Sequence, residues 1–319
     1  MIEYDYPWSE VVDDHGQKFY YNVLTCASAW TVPQKQMPKY HLIDILYILN
    51  HAGYKAEAAS ACSTCKDLWD KDQAFYKQVV NSPMGKLRDT RLIICCKYLQ
   101  ENATSRRRIE QLIRHLGADI SQANMYGHTA FMICAARGAM FFGRVLLASG
   151  DFDVNQVDHD GNTALHIAVS RGQYMVVKQL LFNSAVNLNA VNACGCTALY
   201  VAANRGQLFC SNNDKYEPAC TDADFLECIK TLLMHPQVKC DNTNIHGDNA
   251  LIAACMKGFT SCVEILLKQS DVDVNHGNIV NNTPLILAAN LNHIEIVRML
   301  CARTEIDVNI SGVDPVAPG

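Results

Sequence analysis

Apolar residues in the C-terminal two thirds of the chain fall into pairs of short helical patterns separated by polar turns. Gly161 opens one such segment at a turn that requires positive φ, Thr163 stands where it can cap a helix, and Gly172 stands where that helix ends. The apolar positions of the two predicted helices are Leu165, Ile167, Ala168, Val169, Val176, Val177, Leu180 and Leu181. One helix pair cannot bury its apolar faces alone, so the pattern predicts stacking.

The same segment recurs along the chain. Gly127, Gly161, Gly195 and Gly247 open GHTAFMICAARG, GNTALHIAVSRG, GCTALYVAANRG and GDNALIAACMKG. A fifth copy, NNTPLILAANLN, has Asn281 and Asn292 at the glycine positions, and asparagine best tolerates the left-handed backbone region among non-glycine residues. The period is 34 residues, except for one gap of 52. That gap contains a polar insertion at about 207–224, which predicts a projecting loop.

These phrases resemble ankyrin repeats, whose pattern is G-x-T-P-L-H-x-A-A with a paired leucine before D-V-N. A degenerate sixth unit precedes the five clear ones, from Thr90 to Ser121, with a longer inter-helix loop expected around Arg106. The resemblance implies a mainly α fold, an ankyrin-repeat solenoid of helix pairs over 86–319. It also implies a non-enzymatic scaffold that binds a protein partner on its hairpin tips and concave groove.

Two sets of residues are candidates for that surface. By position in the family pattern, the tips carry Tyr126, His128, His159, Asp160, Asn162, Cys196, His246 and Asp248. A basic residue also recurs just before the glycine that ends each first helix, at Arg137, Arg171, Arg205 and Lys257. These cations either suit the negative end of the helix dipole or bind an acidic partner.

The first 36 residues follow a different pattern. PWSEVVDDHGQKFYYNVLTCASAWTVP alternates apolar and polar residues around the turn DDHG, which predicts a three-stranded antiparallel sheet. Its W-x-E, G-x-x-aromatic-Y-x-N and W-x-x-P elements resemble a WW domain over residues 1–36. The resemblance implies a proline-rich peptide partner and the slot residues Phe19, Tyr21, Ser28 and Trp30. Val23 stands where WW domains that read Pro-Pro-x-Tyr have histidine, so we expect proline runs instead; a folded domain that binds nothing is the alternative.

Between these modules, residues 38–85 contain three short helical patterns. The order L-x-x-I-L-x-x-L, A-A-x-A-C-x-x-C-K-x-L-W and D-x-x-F-Y-K faintly resembles an F-box, without its opening Leu-Pro. That resemblance implies an alternative function, as the substrate-recognition subunit of a ubiquitin ligase. Otherwise these helices are a connector or a cap on the repeat array.

Composition narrows the function classes further. The net charge is −5 with no long run of one sign, so we expect no nucleic-acid partner, and we interpret Arg106–Arg108 as a solvated helix start. No apolar stretch approaches the ~20 residues of a membrane helix, and the first residues lack a signal-peptide pattern. We therefore expect no membrane partner, a cytoplasmic location with the nucleus as a second compartment, and reduced cysteines.

No phosphate loop, catalytic triad or zinc spacing stands out, and Cys62 and Cys65 lack a second pair. We therefore expect no enzyme activity, no cofactor and no metal. His166 belongs to the repeat phrase TALH and is interpreted as structural.

Overall fold

The computed structural model of the 319-residue chain describes residues 8–12, 18–22, 28–29, 81, 83, 87–114, 117–150, 152–208 and 220–312. The chain divides into two compact units. The first comprises residues 1–130 with 148–150, and the second comprises 131–147 with 151–319.

In the first unit, three strands form an antiparallel sheet in the order β1-β2-β3: β1 Trp8–Val12, β2 Lys18–Asn22 and β3 Ser28–Ala29. Tyr21 pairs with Ser9 on one side and Ser28 on the other. Trp30 and nearly all of the F-box-like segment 38–85 lie outside the described residues.

The first unit also contains the degenerate helix pair, α1 Arg91–Tyr98 and α2 Ala103–Arg114. Thr90 caps α1 by accepting a hydrogen bond from the Ile93 N–H at 3.3 Å. The expected long loop around Arg106 is wrong, because Arg106 lies inside α2 and the two helices are joined by residues 99–102. Arg106 and Arg107 are exposed on that helix, as predicted for a solvated helix start.

Five further helix pairs follow, and we number them repeats one to five. Their bounds are α3 Ala130–Arg137 and α4 Met140–Ser149, α5 Ala164–Ser170 and α6 Tyr174–Leu181, α7 Ala198–Ala203 and α8 Asp222–Leu233, α9 Ala250–Met256 and α10 Thr260–Leu266, and α11 Pro284–Asn290 and α12 Ile294–Cys301. The described part of the chain is thus mainly helical, as predicted.

Within the second unit, each inner helix packs on the inner helix of the next repeat, through α5, α7, α9 and α11. The outer helices α6, α8, α10 and α12 form a parallel row of contacts. Small residues at the centre of the inner row, including Ala168, Ala203 and Ala254, have no exposed surface and allow the close approach of neighbouring helices. The apolar faces that one pair cannot bury are therefore covered by its neighbours.

Local signals at the helix ends are those expected from the sequence. Thr163 caps α5, accepting a hydrogen bond from the His166 N–H at 3.5 Å, and Gly172 follows that helix with φ +61°. In repeat five, Asn281 and Asn292 adopt φ +56° and +59°. Both asparagine substitutions therefore meet the same left-handed backbone requirement as the glycines they replace.

The insertion in repeat three is shorter as a loop than predicted. Its last residues are already the start of α8, with Thr221 as the N-cap. The Asp224 carboxylate accepts hydrogen bonds from the Thr221 N–H and hydroxyl, both at 2.8 Å, and so closes a capping box. Residues 209–219 lie outside the described residues.

One expectation about the cysteines is wrong. Cys194 is disulfide-bonded, whereas the other cysteines of the described residues are free thiols. In the described residues, no helix is both long and apolar enough to span a bilayer.

Candidate protein-binding surface

Each repeat begins with a tight turn, a finger, that is built on a buried amide or carboxylate. Asp158 Oδ1 accepts hydrogen bonds from the N–H groups of Asp160, at 2.9 Å, and Asn162, at 2.7 Å. Asn192, Asn244 and Asn278 bind their own fingers in the same pattern, two and four residues ahead. These side chains replace backbone partners that a tight turn cannot supply.

The fingers of the second unit are also linked to one another. Their backbone hydrogen bonds run from Ala193 N–H to Asp160 C=O at 2.9 Å, Ile245 N–H to Cys194 C=O at 3.0 Å, and Ile279 N–H to His246 C=O at 3.1 Å. A Cβ on Gly161 would lie 2.7 Å from the Ala193 nitrogen, so the approach of the next finger excludes a side chain there. The fingers therefore form a rigid row.

Three of the predicted tip residues do not lie on the surface. Asn162, Cys196 and Asp248 are 1%, 1% and 6% exposed. They precede the helix N-cap and face the next repeat: Asn192 Nδ2 donates to Asn162 Oδ1 at 3.0 Å, and Asn278 Nδ2 donates to Asp248 Oδ1 at 2.9 Å. These positions stabilise the stack and are not available to a partner.

The remaining tip residues reach solvent. Tyr126 and His128, in the first unit, have ring centroids 6.0 Å apart, and Tyr126 is exposed. In the second unit His159 and His246 are exposed, and Asp160 is half-buried.

Two finger residues were missed from the sequence, although they are more exposed than most. Ile245 and Ile279 are 61% and 70% exposed. Both stand two residues before the turn residue, the position that His159 occupies in repeat two, so alignment of the repeats would have found them.

The predicted basic residues all stand at the C-terminal ends of inner helices in the second unit. Arg137 ends α3, and Arg171 and Lys257 are the C-caps of α5 and α9. Arg137 is exposed, whereas Arg171 and Lys257 are half-buried. Lys257 Nζ donates to Gln207 Oε1 at 2.6 Å.

Arg205 differs from the other three. It lies one residue beyond the C-cap of α7, with φ +54°, a region that arginine rarely adopts. Its guanidinium forms an ion pair with Asp222 at 2.9 Å and lies over the Phe259 ring at 5.2 Å from the centroid. Arg205 thus joins repeat three to the first turn of α8 and to repeat four.

His166 has the structural role predicted for it. Its Nδ1 lies 2.9 Å from the Thr163 hydroxyl and its Nε2 lies 2.9 Å from the Cys196 carbonyl, in a buried site. Burial lowers the pKa of His166 against smaller raising effects, the largest from that carbonyl. Within the described residues, no group of three or more His, Cys, Asp and Glu side chains is placed to hold a metal ion.

Of the predicted proline-slot residues, Phe19 and Tyr21 lie on β2 and Ser28 lies on β3, while Trp30 is outside the described residues. Phe19 pairs with Val11 across the sheet.

Comparison with known families identifies the helical array. The family model described as ankyrin repeats (3 copies) matches residues 92–192 and 219–311. A comparison with curated proteins found no match.

Proposed function

Because the chain belongs to the ankyrin-repeat family, whose repeats generally mediate protein–protein contacts, we propose that it is a non-enzymatic adaptor. In this proposal the repeat array binds one protein partner, and the N-terminal sheet binds a proline-rich peptide. Two binding modules on one chain raise the effective concentration of each bound partner near the other.

The observation that carries the first half is the placement of the basic residues. Arg137, Arg171 and Lys257 stand at equivalent helix ends in three repeats, and none is fully buried. One exposed ion pair contributes only about 0.2–1 kcal/mol, but several acting on one acidic segment add up and respond to salt. A partner with acidic residues is therefore the best complement to this surface.

Affinity purification tests this half of the proposal. Arg137→Glu combined with Arg171→Glu should release acidic partners that the wild-type chain retains at low salt. The matched control is Lys178→Glu combined with Lys268→Glu, which changes the net charge equally at exposed outer-helix positions. Equal loss of partners in both variants would show a general charge effect and would contradict a groove site.

The WW assignment of residues 1–36 is part of the proposal, and the strand register supports it. Tyr21 is the cross-strand partner of Ser28, and Phe19 precedes Tyr21 by two residues on β2, so the three residues share one face of the sheet. A polyproline II segment is already extended, so it loses little entropy on docking there.

Comparison of partners captured by the wild-type chain and by Trp30→Ala tests the proline slot. Proline-rich partners should be lost only from the variant, and partners of the repeats should remain. Retention of every proline-rich partner would show that the domain is folded but does not bind through this slot. The ubiquitin-ligase alternative depends on residues 38–85, almost all outside the described structure, and stays a prediction from the sequence.

A further inference from the structure

The helix-end positions change character along the array. In repeats one and two they are Arg137 and Arg171, whereas in repeat five the equivalent residue, the C-cap of α11, is Leu291. Leu291 is 48% exposed, which is unusual for a leucine with no neighbouring repeat function to explain it. This helix-end row thus runs from basic to apolar.

The exposed finger positions change in the same direction. The residue two places before the turn is His159 in repeat two and Ala193 in repeat three, then Ile245 and Ile279 in repeats four and five. Both isoleucines project into solvent, at 61% and 70% exposure, from fingers tied by the Ile279 N–H to His246 C=O bond. The two rows therefore make one end of the surface cationic and the other apolar.

Repeat three separates these halves electrostatically. Arg205, the only helix-end cation of that repeat, already pairs with Asp222 at 2.9 Å and packs over Phe259. An internal carboxylate thus occupies the position where a partner's carboxylate would bind in repeat three.

We propose that the repeat surface is bipartite and selects a segment with acidic residues at one end and apolar anchor residues at the other. The acidic residues bind at Arg137 and Arg171, and the apolar residues pack against Ile245, Ile279 and Leu291. This inference rests on the proposed adaptor function and names the chemistry of its partner.

The repeat spacing sets the length of the partner segment. Packed helices lie about 8–10 Å apart, so the three steps from Arg171 to Leu291 span roughly 24–30 Å. An extended chain covers about 3.3 Å per residue, so roughly eight residues separate the acidic and apolar anchors.

Labelled peptides and the full chain provide the test. The first probe has a run of glutamates, a Gly/Ser spacer of about eight residues and a Leu-Phe-Leu end. The second probe replaces that end with serines, and the third shortens the spacer to about three residues. We expect the first probe to bind about tenfold more tightly than the other two, by fluorescence anisotropy, which corresponds to about 1.4 kcal/mol.

Surface variants assign the gain to the proposed residues. Ile279→Ser combined with Leu291→Ser should abolish the tenfold advantage while the salt dependence of glutamate binding is kept. Arg171→Glu should weaken all three probes. Met234→Ser is the control, because Met234 is 81% exposed at the end of outer helix α8, away from both rows.

The outcomes separate this inference from the proposed function. Equal binding of the three probes would overturn the bipartite surface but leave an acidic-partner groove intact. An advantage that Met234→Ser also removes would place the apolar contact elsewhere and overturn the inference as well. Absence of binding by every probe would contradict the basic groove of the proposed function itself.

Discussion

Replacement of Cys196 by asparagine should stabilise the repeat array. In two repeat junctions of the second unit, the buried asparagine of one finger donates to the residue before the preceding N-cap, as Asn192 does to Asn162 and Asn278 does to Asp248. At the third junction that residue is Cys196, and Asn244 Nδ2 is buried without an acceptor within hydrogen-bond distance. Burial raises the pKa of Cys196 to about 11, against a smaller lowering by the Asn244 side chain, so a neutral thiol faces that amide.

The expected gain follows from the hydrogen bond that is missing. A net intramolecular hydrogen bond contributes about 0.5–1.5 kcal/mol, and an unsatisfied buried donor costs about 1–3 kcal/mol. Asparagine is bulkier than cysteine, and overpacking would offset part of the gain. We therefore expect a net stabilisation of about 1 kcal/mol, or a Tm increase of roughly 2–4 °C for an array of this size.

Thermal unfolding followed by circular dichroism, under one redox condition for all variants, measures this change. Cys196→Val is the matched control, because valine fills the site without offering an acceptor. The reverse change, Asn162→Cys, should cost about 1–3 kcal/mol by leaving Asn192 Nδ2 unpaired. A stabilisation by Cys196→Val equal to that by Cys196→Asn would refute the reasoning, since the gain would then come from packing.

Three further predictions concern single positions in repeat two. Gly161→Ala should cost about 2–4 kcal/mol in urea unfolding, because φ is +76° and the new Cβ would meet the next finger; a cost below that of an exposed Gly→Ala change would contradict this geometry. Thr163→Ala should cost about 1 kcal/mol through loss of the N-cap of α5, and Thr163→Ser should restore most of it. The lowered pKa of His166 means that the unfolded chain binds the proton first. Stability is then present above pH 6.5 and is lost below it by at most about 1.4 kcal/mol per pH unit; an equal pH slope in His166→Gln would exclude His166 as the cause.

The repeat architecture could be predicted from the sequence because its signals are local. Turn glycines, the asparagines that replace them and the Thr163 cap depend on backbone conformation within a few residues. The inward placement of Asn162, Cys196 and Asp248 could not be predicted in the same way, because it depends on contacts with a finger about 30 residues away. The engagement of Arg205 with Asp222 was hidden for the same reason: the insertion separates two residues that the fold brings to 2.9 Å.

Stability and recognition are separated within each finger. The buried base residue is Asp158, Asn192, Asn244 or Asn278, all of which accept the same pair of backbone hydrogen bonds, so this position is constrained by the turn itself. The exposed residue beside it changes from histidine to alanine to isoleucine without altering those bonds. Because the turn tolerates any of these side chains, the turn does not determine the gradient from basic to apolar. The gradient is therefore free to follow the chemistry of a partner, and the peptide probes measure that dependence directly.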